Sequence, residues 1–350
     1  MKFPMLSEEE RIRRLAPPKG KVHIVIDTDT YNEVDDQFAL AYAQMSPERM
    51  QVDAVYAAPF SSAFFAKLLH TQGVDIPMTD DLKEGLELSY KEIQKLFGLL
   101  EIDTTGKVFK GSAEYMSKPD EYVESEAARD LVKRARESED LLYVVAIGEI
   151  TNVASAILMD PEIIHKIVIV WLAGQPLFWP TAIEFNLGQD VLASQLILDC
   201  GVPLVLVPCM SVASNLTVTA PELEAHLRGK SKVGTYLSDI VISQLTQEMG
   251  QNWLNLFHQT YCLGLDDYGA AGVPSTKTML SPSRIIWDIS TVGYLCNPAW
   301  CPSTLTATPS LTEDYRWRID DSRHKMRICR YIYRDAVLGD MFYKLARAPK

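Results

Sequence analysis

Continuous runs of apolar, often β-branched residues recur along this 350-residue chain, and a helical pattern follows most of them. Runs without strict alternation of apolar and polar residues are typical of strands covered on both faces. Strands that alternate with helices at this spacing favour a parallel sheet with right-handed crossovers. We therefore predict an α/β fold in which helices flank a mostly parallel central sheet. The predicted strands are 22–26, 52–57, 141–147, 167–172 and 203–207, and the predicted helices are 37–44, 63–69, 86–99, 126–137, 151–159 and 191–198.

The chain shows no linker and no internal repeat, which favours one domain over two. Residues 1–20 are expected to form a peripheral N-terminal arm, closed by Pro17, Pro18 and Gly20, and residues 21–350 to form the domain itself. The short basic stretch RIRR at 11–14 is interpreted as a solvated helix face.

Composition argues against several classes of partner. A formal net charge of −12 disfavours nucleic acid, whose phosphates need Lys and Arg. No window approaches the ~20 apolar residues of a membrane span, and the N-terminus lacks the apolar segment of a signal peptide. The six cysteines have no metal-ligand spacing and are interpreted as mostly buried thiols in a reducing compartment. We expect a soluble, cytoplasmic protein.

Four aspartates lie within ten positions around the start of the first predicted helix: Asp27, Asp29, Asp35 and Asp36. Two like charges about 4 Å apart cost about 4 kcal/mol at an effective dielectric constant of ~20. A hard cation such as Ca²⁺ or Mg²⁺ among the oxygens removes that cost. The alternative is that Asp35 or Asp36 only caps the helix, but one aspartate would suffice for a cap. The cluster therefore favours a metal site.

The position of these residues supports the same interpretation. Asp27 and Asp29 follow the first predicted strand, and Gly148 and Gly174 follow two later ones. In open α/β sheets the ligand site lies beyond the carboxyl ends of the strands.

Four segments, in order, resemble the inosine-uridine-preferring nucleoside hydrolases, the nucleoside N-ribohydrolases. Residues 27–29 (DTD) and the pair at 35–36 (DD) resemble the hallmark strand ending in D-x-D and the D-D pair that opens a helix. VVAIGEITNVASAILMDPEI at 144–163 resembles the strand, G-x-L-T-N, helix and D-P element. EFN at 184–186 resembles the sugar-contacting tripeptide, and WDISTVGYLCNP at 287–298 resembles the late metal-ligand helix. The resemblance covers roughly residues 21–347 and implies a Rossmann-like core.

The resemblance implies calcium-dependent hydrolysis of the N-glycosidic bond of a ribonucleoside to ribose and free base. The side chains of Asp29, Asp36 and Asp288 and the carbonyl of Ile147 would bind Ca²⁺. Asp35 would be the general base that activates a metal-bound water.

Further roles follow from the same resemblance. Asp27 would orient the loop by hydrogen bonds without touching the metal, and Glu184, Phe185 and Asn186 would hold the sugar. Family members are usually homodimers or homotetramers, so we expect an oligomer whose partner is a small nucleoside, as in purine or pyrimidine salvage.

The chain departs from the family pattern at the substrate side. The loop at 30–34 makes the spacing two residues longer than the usual D-x-D-x-x-x-D-D. Trp287 stands where many members have a histidine that protonates the leaving base; an indole cannot act as an acid but can stack on a heterocycle. Together with Trp287, three aromatic residues predict a pocket that favours a flat or hydrophobic aglycone: Phe60, Phe178 and Trp179. His258 and Tyr261 are candidate replacements for the missing acid, or members of an ordinary, partly buried helix face.

Two other functions remain open at this point. A non-catalytic homologue could bind a nucleoside or ribose with the metal, although a pure binder would not need Asp35. A haloacid-dehalogenase-type phosphatase also begins with an apolar strand and D-x-D, but Tyr31 stands where that class has Thr or Val.

Overall fold

The computed structural model describes residues 3–61, 79–246 and 283–350. Its strands are β1 (Val22–Thr28), β2 (Met50–Ala57), β3 (Val108–Lys110), β4 (Leu142–Ala146), β5 (Ile167–Leu172), β6 (Leu204–Val207), β7 (Thr217–Thr219), β8 (Ser283–Ile285), β9 (Ser303–Ala307), β10 (Ser310–Leu311), β11 (Trp317–Arg318) and β12 (Lys325–Cys329). Its α-helices are α1 (Glu8–Arg14), α2 (Asp35–Gln44), α3 (Leu82–Leu99), α4 (Glu126–Glu137), α5 (Thr151–Met159), α6 (Phe185–Gln189), α7 (Val191–Asp199), α8 (Ala220–His226), α9 (Lys232–Thr246), α10 (Ile289–Cys296) and α11 (Arg334–Leu345).

Eight of these strands form one sheet in the order β3-β2-β1-β4-β5-β6-β12-β9. Neighbouring strands are parallel except at one edge, where β9 runs antiparallel to β12. β7 pairs with β8, and β10 with β11, in two small antiparallel ladders. The predicted α/β fold with a mostly parallel central sheet is confirmed.

The predicted elements inside the described ranges are all present. α3 begins at Leu82 rather than at 86, because the side chain of Asp81 accepts a hydrogen bond from the backbone N–H of Lys83 and caps the helix there. The predicted helix 63–69 lies outside the described residues.

The sheet is covered on both faces, as its continuous apolar strands require. Alternate residues of one strand enter opposite cores: Val145 of β4 packs with the core that includes α2, α10 and α11, whereas Val144 packs with the core that includes α4, α5 and α7. β1, β4 and β5 therefore lie at the centre of the molecule, and residues at their ends are held between two packed layers.

The prediction of a solvated RIRR stretch is wrong for Arg11. That side chain is buried, and its Nη1 donates a hydrogen bond to the carbonyl of Gly201 (2.6 Å). Leu15, after the same helix, is fully buried, whereas Arg13 is exposed. Packing against the sheet decides this burial, since the sequence of α1 is mostly charged. The division of the chain at residue 20 stays a prediction.

The expectations for the cysteines and for membrane-spanning helices concern residues that the structure describes in part. Five cysteines are free and buried, and Cys262 lies outside the described ranges. Within those ranges, no helix combines the length and the apolar character needed to cross a bilayer.

Candidate metal and substrate site

The carboxyl end of β1 brings the first site residues together at the centre of the sheet. Asp27 pairs in register with Tyr56 of β2 and Ala146 of β4. Its carbonyl accepts a hydrogen bond from the backbone N–H of Ile147 (2.9 Å). Because the strands are parallel, Asp29 after β1 and Ile147 after β4 meet at one edge, as predicted for a ligand site.

Two glycines at strand ends are needed for close approach. A Cβ at Gly148 would lie 2.8 Å from the backbone nitrogen of Asp29, which is shorter than real Cβ contacts. Gly174 has a φ of +62°, and its N–H donates to a carboxylate oxygen of Glu184 (2.9 Å). Both glycines thus fix the positions of carboxylates next to them.

Three buried carboxylates form the tightest cluster of the described residues. Asp35 and Asp36 begin α2, Asp288 immediately precedes α10, and these two helices pack against each other. One carboxylate oxygen from each of the three lies within 4.8 Å of the others. Val34 is the N-cap of α2, and neither helix has a side-chain capping hydrogen bond. The capping interpretation is therefore wrong: these side chains face one another.

Asp29 lies beside this cluster and faces the same cavity. The cavity has a volume of about 30 Å³. The Nδ2 of Asn32 donates to Asp29 Oδ2 (3.1 Å). The ligand set that we predicted combines Asp29 with Asp36 and Asp288, whereas the tightest cluster contains Asp35 instead.

Burial and mutual repulsion disfavour charge on these carboxylates. Burial raises the pKa of Asp36 to about 7, although a hydrogen bond from the Thr28 hydroxyl lowers it. Burial first and then neighbouring carboxylates raise the pKa values of Asp29, Asp35 and Asp288 well above their usual range. Such a group is stable in the ionised form only when a cation compensates it.

The donor set fits a hard cation. The three clustered side chains offer carboxylate oxygens, which Ca²⁺ and Mg²⁺ prefer as ligands. Asp27 lies behind them, fully buried, and its Oδ1 accepts a hydrogen bond from Asn152 Nδ2 (2.9 Å). This hydrogen bond links the end of β1 to the first turn of α5.

The predicted sugar-contacting residues line the same cavity. Glu184 caps α6 and accepts hydrogen bonds from the backbone N–H groups of Asn186 and Leu187. Burial raises the pKa of Glu184 to about 7 against the effect of these donors. The Nδ2 of Asn186 donates to the carbonyls of Ile147 and Leu172, both at 3.1 Å.

The predicted aromatic residues divide into two groups. Phe185 and Trp287 line the cavity. Phe60 is buried and Trp179 half-buried, and Phe178 is 75% exposed; none of the three lines the cavity in the part of the chain that the structure describes. His258 and Tyr261 lie outside the described residues.

Sequence reasoning missed several residues of this site. Asn32, Glu33, Leu172 and Cys209 also line the cavity. Asn32 and Glu33 lie in the lengthened loop, so its unusual spacing was a signal. Arg284, which pairs with Glu33, gave no signal because its partner is 251 positions away.

Fold and site together define an α/β protein with a carboxylate-lined cavity at the carboxyl ends of a parallel sheet. The family model of the inosine-uridine preferring nucleoside hydrolases matches residues 24–298, and the chain belongs to this family.

Similar proteins agree with this assignment. The chain is 28% identical over 177 residues to a putative pyrimidine-specific ribonucleoside hydrolase, RihB, of Shigella boydii; the match covers 49% of this chain and 61% of the relative. The chain spans about half the length of the curated relatives it matches.

A purine-preferring ribonucleoside hydrolase from Gardnerella vaginalis has a similar fold, with a TM-score of 0.63, 16% identity and coverage of 93% of this chain and 98% of that one. The plant nucleoside hydrolase PpNRh1 has a TM-score of 0.59 and 18% identity, with coverage of 94% and 100%.

Proposed function

We propose that this protein hydrolyses the N-glycosidic bond of a ribonucleoside, giving ribose and the free base, with Ca²⁺ as its cofactor. The observation that carries the proposal is the close group of Asp35, Asp36 and Asp288, buried together in one cavity of a nucleoside hydrolase fold. Family membership supports the reaction class.

Four groups would hold the cation: the carboxylates of Asp29, Asp36 and Asp288 and the carbonyl of Ile147. A carbonyl oxygen has two lone pairs, so that of Ile147 can accept the hydrogen bond from Asn186 and still face a metal. When bound, Ca²⁺ supplies the positive charge that orders oxygen ligands around it, including those of a ribose diol.

Asp35 is the general base of the proposed reaction. It would take a proton from the attacking water at a carboxylate oxygen. Burial, followed by Glu33, raises the pKa of Asp35 above its usual value, which makes its ionised form a stronger base. The adjacent carboxylates also stabilise positive charge that develops on the sugar ring.

Glu184 and Asn186 would bind ribose hydroxyls, and Asp27 would orient the strand end. Glu184 has backbone donors on both carboxylate oxygens, so its orientation is set before substrate arrives. Trp287, beside Asp288, offers an indole face on which the base could stack, in place of the family's histidine. Phe60, Phe178, Trp179, His258 and Tyr261 stay candidate substrate contacts.

We further propose a cytoplasmic homodimer or homotetramer, in line with what is usual for the family. Light scattering on the purified chain measures the oligomeric state.

A reducing-sugar assay on a nucleoside panel tests the function. The panel contains inosine, uridine, cytidine, nicotinamide riboside and p-nitrophenyl riboside, each assayed before EDTA, after EDTA and after added Ca²⁺. Ribose release that EDTA abolishes and Ca²⁺ restores is the expected result. Calcium binding without release from any substrate would refute the hydrolase and favour a binding protein.

A further inference from the structure

The loop between β1 and α2 places a carboxylate that the proposed reaction does not yet use. Glu33 lies in this loop and lines the cavity beside Asp35. Its backbone carbonyl accepts a hydrogen bond from Gln37 Nε2 (3.4 Å), which ties the loop to the first turn of α2.

A buried arginine from a distant part of the chain holds this carboxylate. Arg284 lies in β8, and its Nη2 donates to Glu33 Oε2 in an ion pair whose side chains are 1% and 12% exposed, respectively. β8 is itself fixed, because Arg284 pairs in register with Val218 of β7 and the N–H of Ile286 donates to the carbonyl of Leu216 (2.9 Å). The guanidinium therefore links the loop at Glu33 to the segment that leads to Asp288.

Burying this pair is costly unless each charge keeps its partner. A buried charge without a partner is strongly destabilising, so Glu33 is constrained to the side of the cavity where Arg284 lies. The positive charge of the guanidinium also lowers the pKa of Asp35, whereas burial and then Glu33 raise it.

One oxygen of Glu33 remains for a ligand. Oε2 is taken by Arg284, whereas Oε1 has no hydrogen-bond partner among residues 3–61, 79–246 and 283–350. A carboxylate oxygen is a strong acceptor for a hydroxyl donor.

We propose that Glu33 is a substrate-binding residue that accepts a hydrogen bond from a hydroxyl of the ribosyl group, and that Arg284 is the positioning residue that fixes it. This inference rests on the proposed function for the identity of the ligand. It assigns Glu33 to the sugar and not to the metal.

The test measures calcium binding, ribose binding and turnover separately. Isothermal titration with Ca²⁺ alone, and then with D-ribose on the calcium-loaded protein, is compared for wild type, Glu33→Gln and Arg284→Gln. Loss of a hydrogen bond to a charged group is expected to raise the Kd for ribose and the KM for p-nitrophenyl riboside roughly 10-fold or more in both variants. The Kd for Ca²⁺ should change by less than the Kd for ribose, because neither side chain is a ligand and the charge of Glu33 acts on the site only at a distance.

Three further variants distinguish a positioning role of Arg284 from a general loss of structure. The double variant should be no worse than either single one, because both remove the same interaction. Arg284→Lys should recover part of the affinity, since it keeps the charge and loses the planar fork. Arg11→Gln is the matched control: Arg11 is equally buried but lies in α1, away from the cavity, so its change should affect the melting temperature and leave the Kd for ribose unaltered.

Two results would overturn the inference. Equal ribose affinity of wild type and Glu33→Gln would show that Glu33 does not bind the sugar. A loss of calcium affinity in Glu33→Gln of about 10-fold or more, equivalent to about 1.4 kcal/mol, would make it a metal ligand instead. The proposed hydrolase fails on a different observation, which is the absence of ribose release by the wild type. If the wild type also binds no ribose, the sugar-binding role of Glu33 is refuted as well.

Discussion

Asp36→Asn should make the stability of the metal-free protein less dependent on pH and should remove its stabilisation by calcium. The pKa of Asp36 is raised from 3.8 to about 7, so the fold favours its protonated form. Stability from this group is fully present below pH 3.8 and is lost as the pH rises through about 7. Between pH 5 and pH 8 this group lowers the free energy of unfolding by about 3 kcal/mol, because a slope of about 1.4 kcal/mol per pH unit acts over roughly two pH units.

The neutral amide removes this pH dependence. Asn can still accept the hydrogen bond from Thr28 through its Oδ1, so this contact is kept in the variant. Urea unfolding in the presence of a chelator at pH 5, 6, 7 and 8 measures the free energy of unfolding. The fall between pH 5 and pH 8 should be about 3 kcal/mol smaller in Asp36→Asn than in wild type.

Added calcium provides the internal control. At a concentration of 100 times its Kd, Ca²⁺ should stabilise the wild type at pH 8 by about 2.7 kcal/mol, and it should not stabilise Asp36→Asn. An unchanged pH dependence in the variant would refute the argument that burial of this carboxylate destabilises the metal-free protein.

Other variants test the remaining site assignments. Asp35→Asn should reduce kcat by roughly 10² to 10⁴ with calcium affinity within a few-fold of wild type; a large loss of affinity in titration calorimetry would place Asp35 among the ligands. Asp288→Ala should lose calcium binding and ribose release together, and retained affinity would contradict its role as a ligand. Gly148→Ala should weaken calcium binding, because its Cβ would press on the backbone of Asp29. Gly98→Ala, whose Cβ would meet nothing within 4 Å, should bind calcium like wild type in the same titration.

Local sequence patterns were enough to predict five strands and a mostly parallel sheet, but not the order of the strands. The runs in β1, β4, β5 and β6 are apolar without alternation, and a strand buried on both faces requires that pattern wherever it lies. The pair at Asp35 and Asp36 was visible for a similar reason: two adjacent acids at the start of an apolar helix are costly without a charged partner. Both signals come from residues close together in the chain.

The tertiary structure decided which residues share a space. Arg11 reads as a surface residue of a charged helix, yet it is buried against Gly201. Asn152 reaches Asp27, and Arg284 reaches Glu33, across 125 and 251 positions. Such contacts depend on strand order and on the packing of one element on another, which a single sequence does not encode in any local period. The sequence alone thus determined the layered fold and the acidic edge, whereas only the tertiary structure decided which side chains hold that edge in place, because long-range pairing is fixed by the packing of the whole sheet.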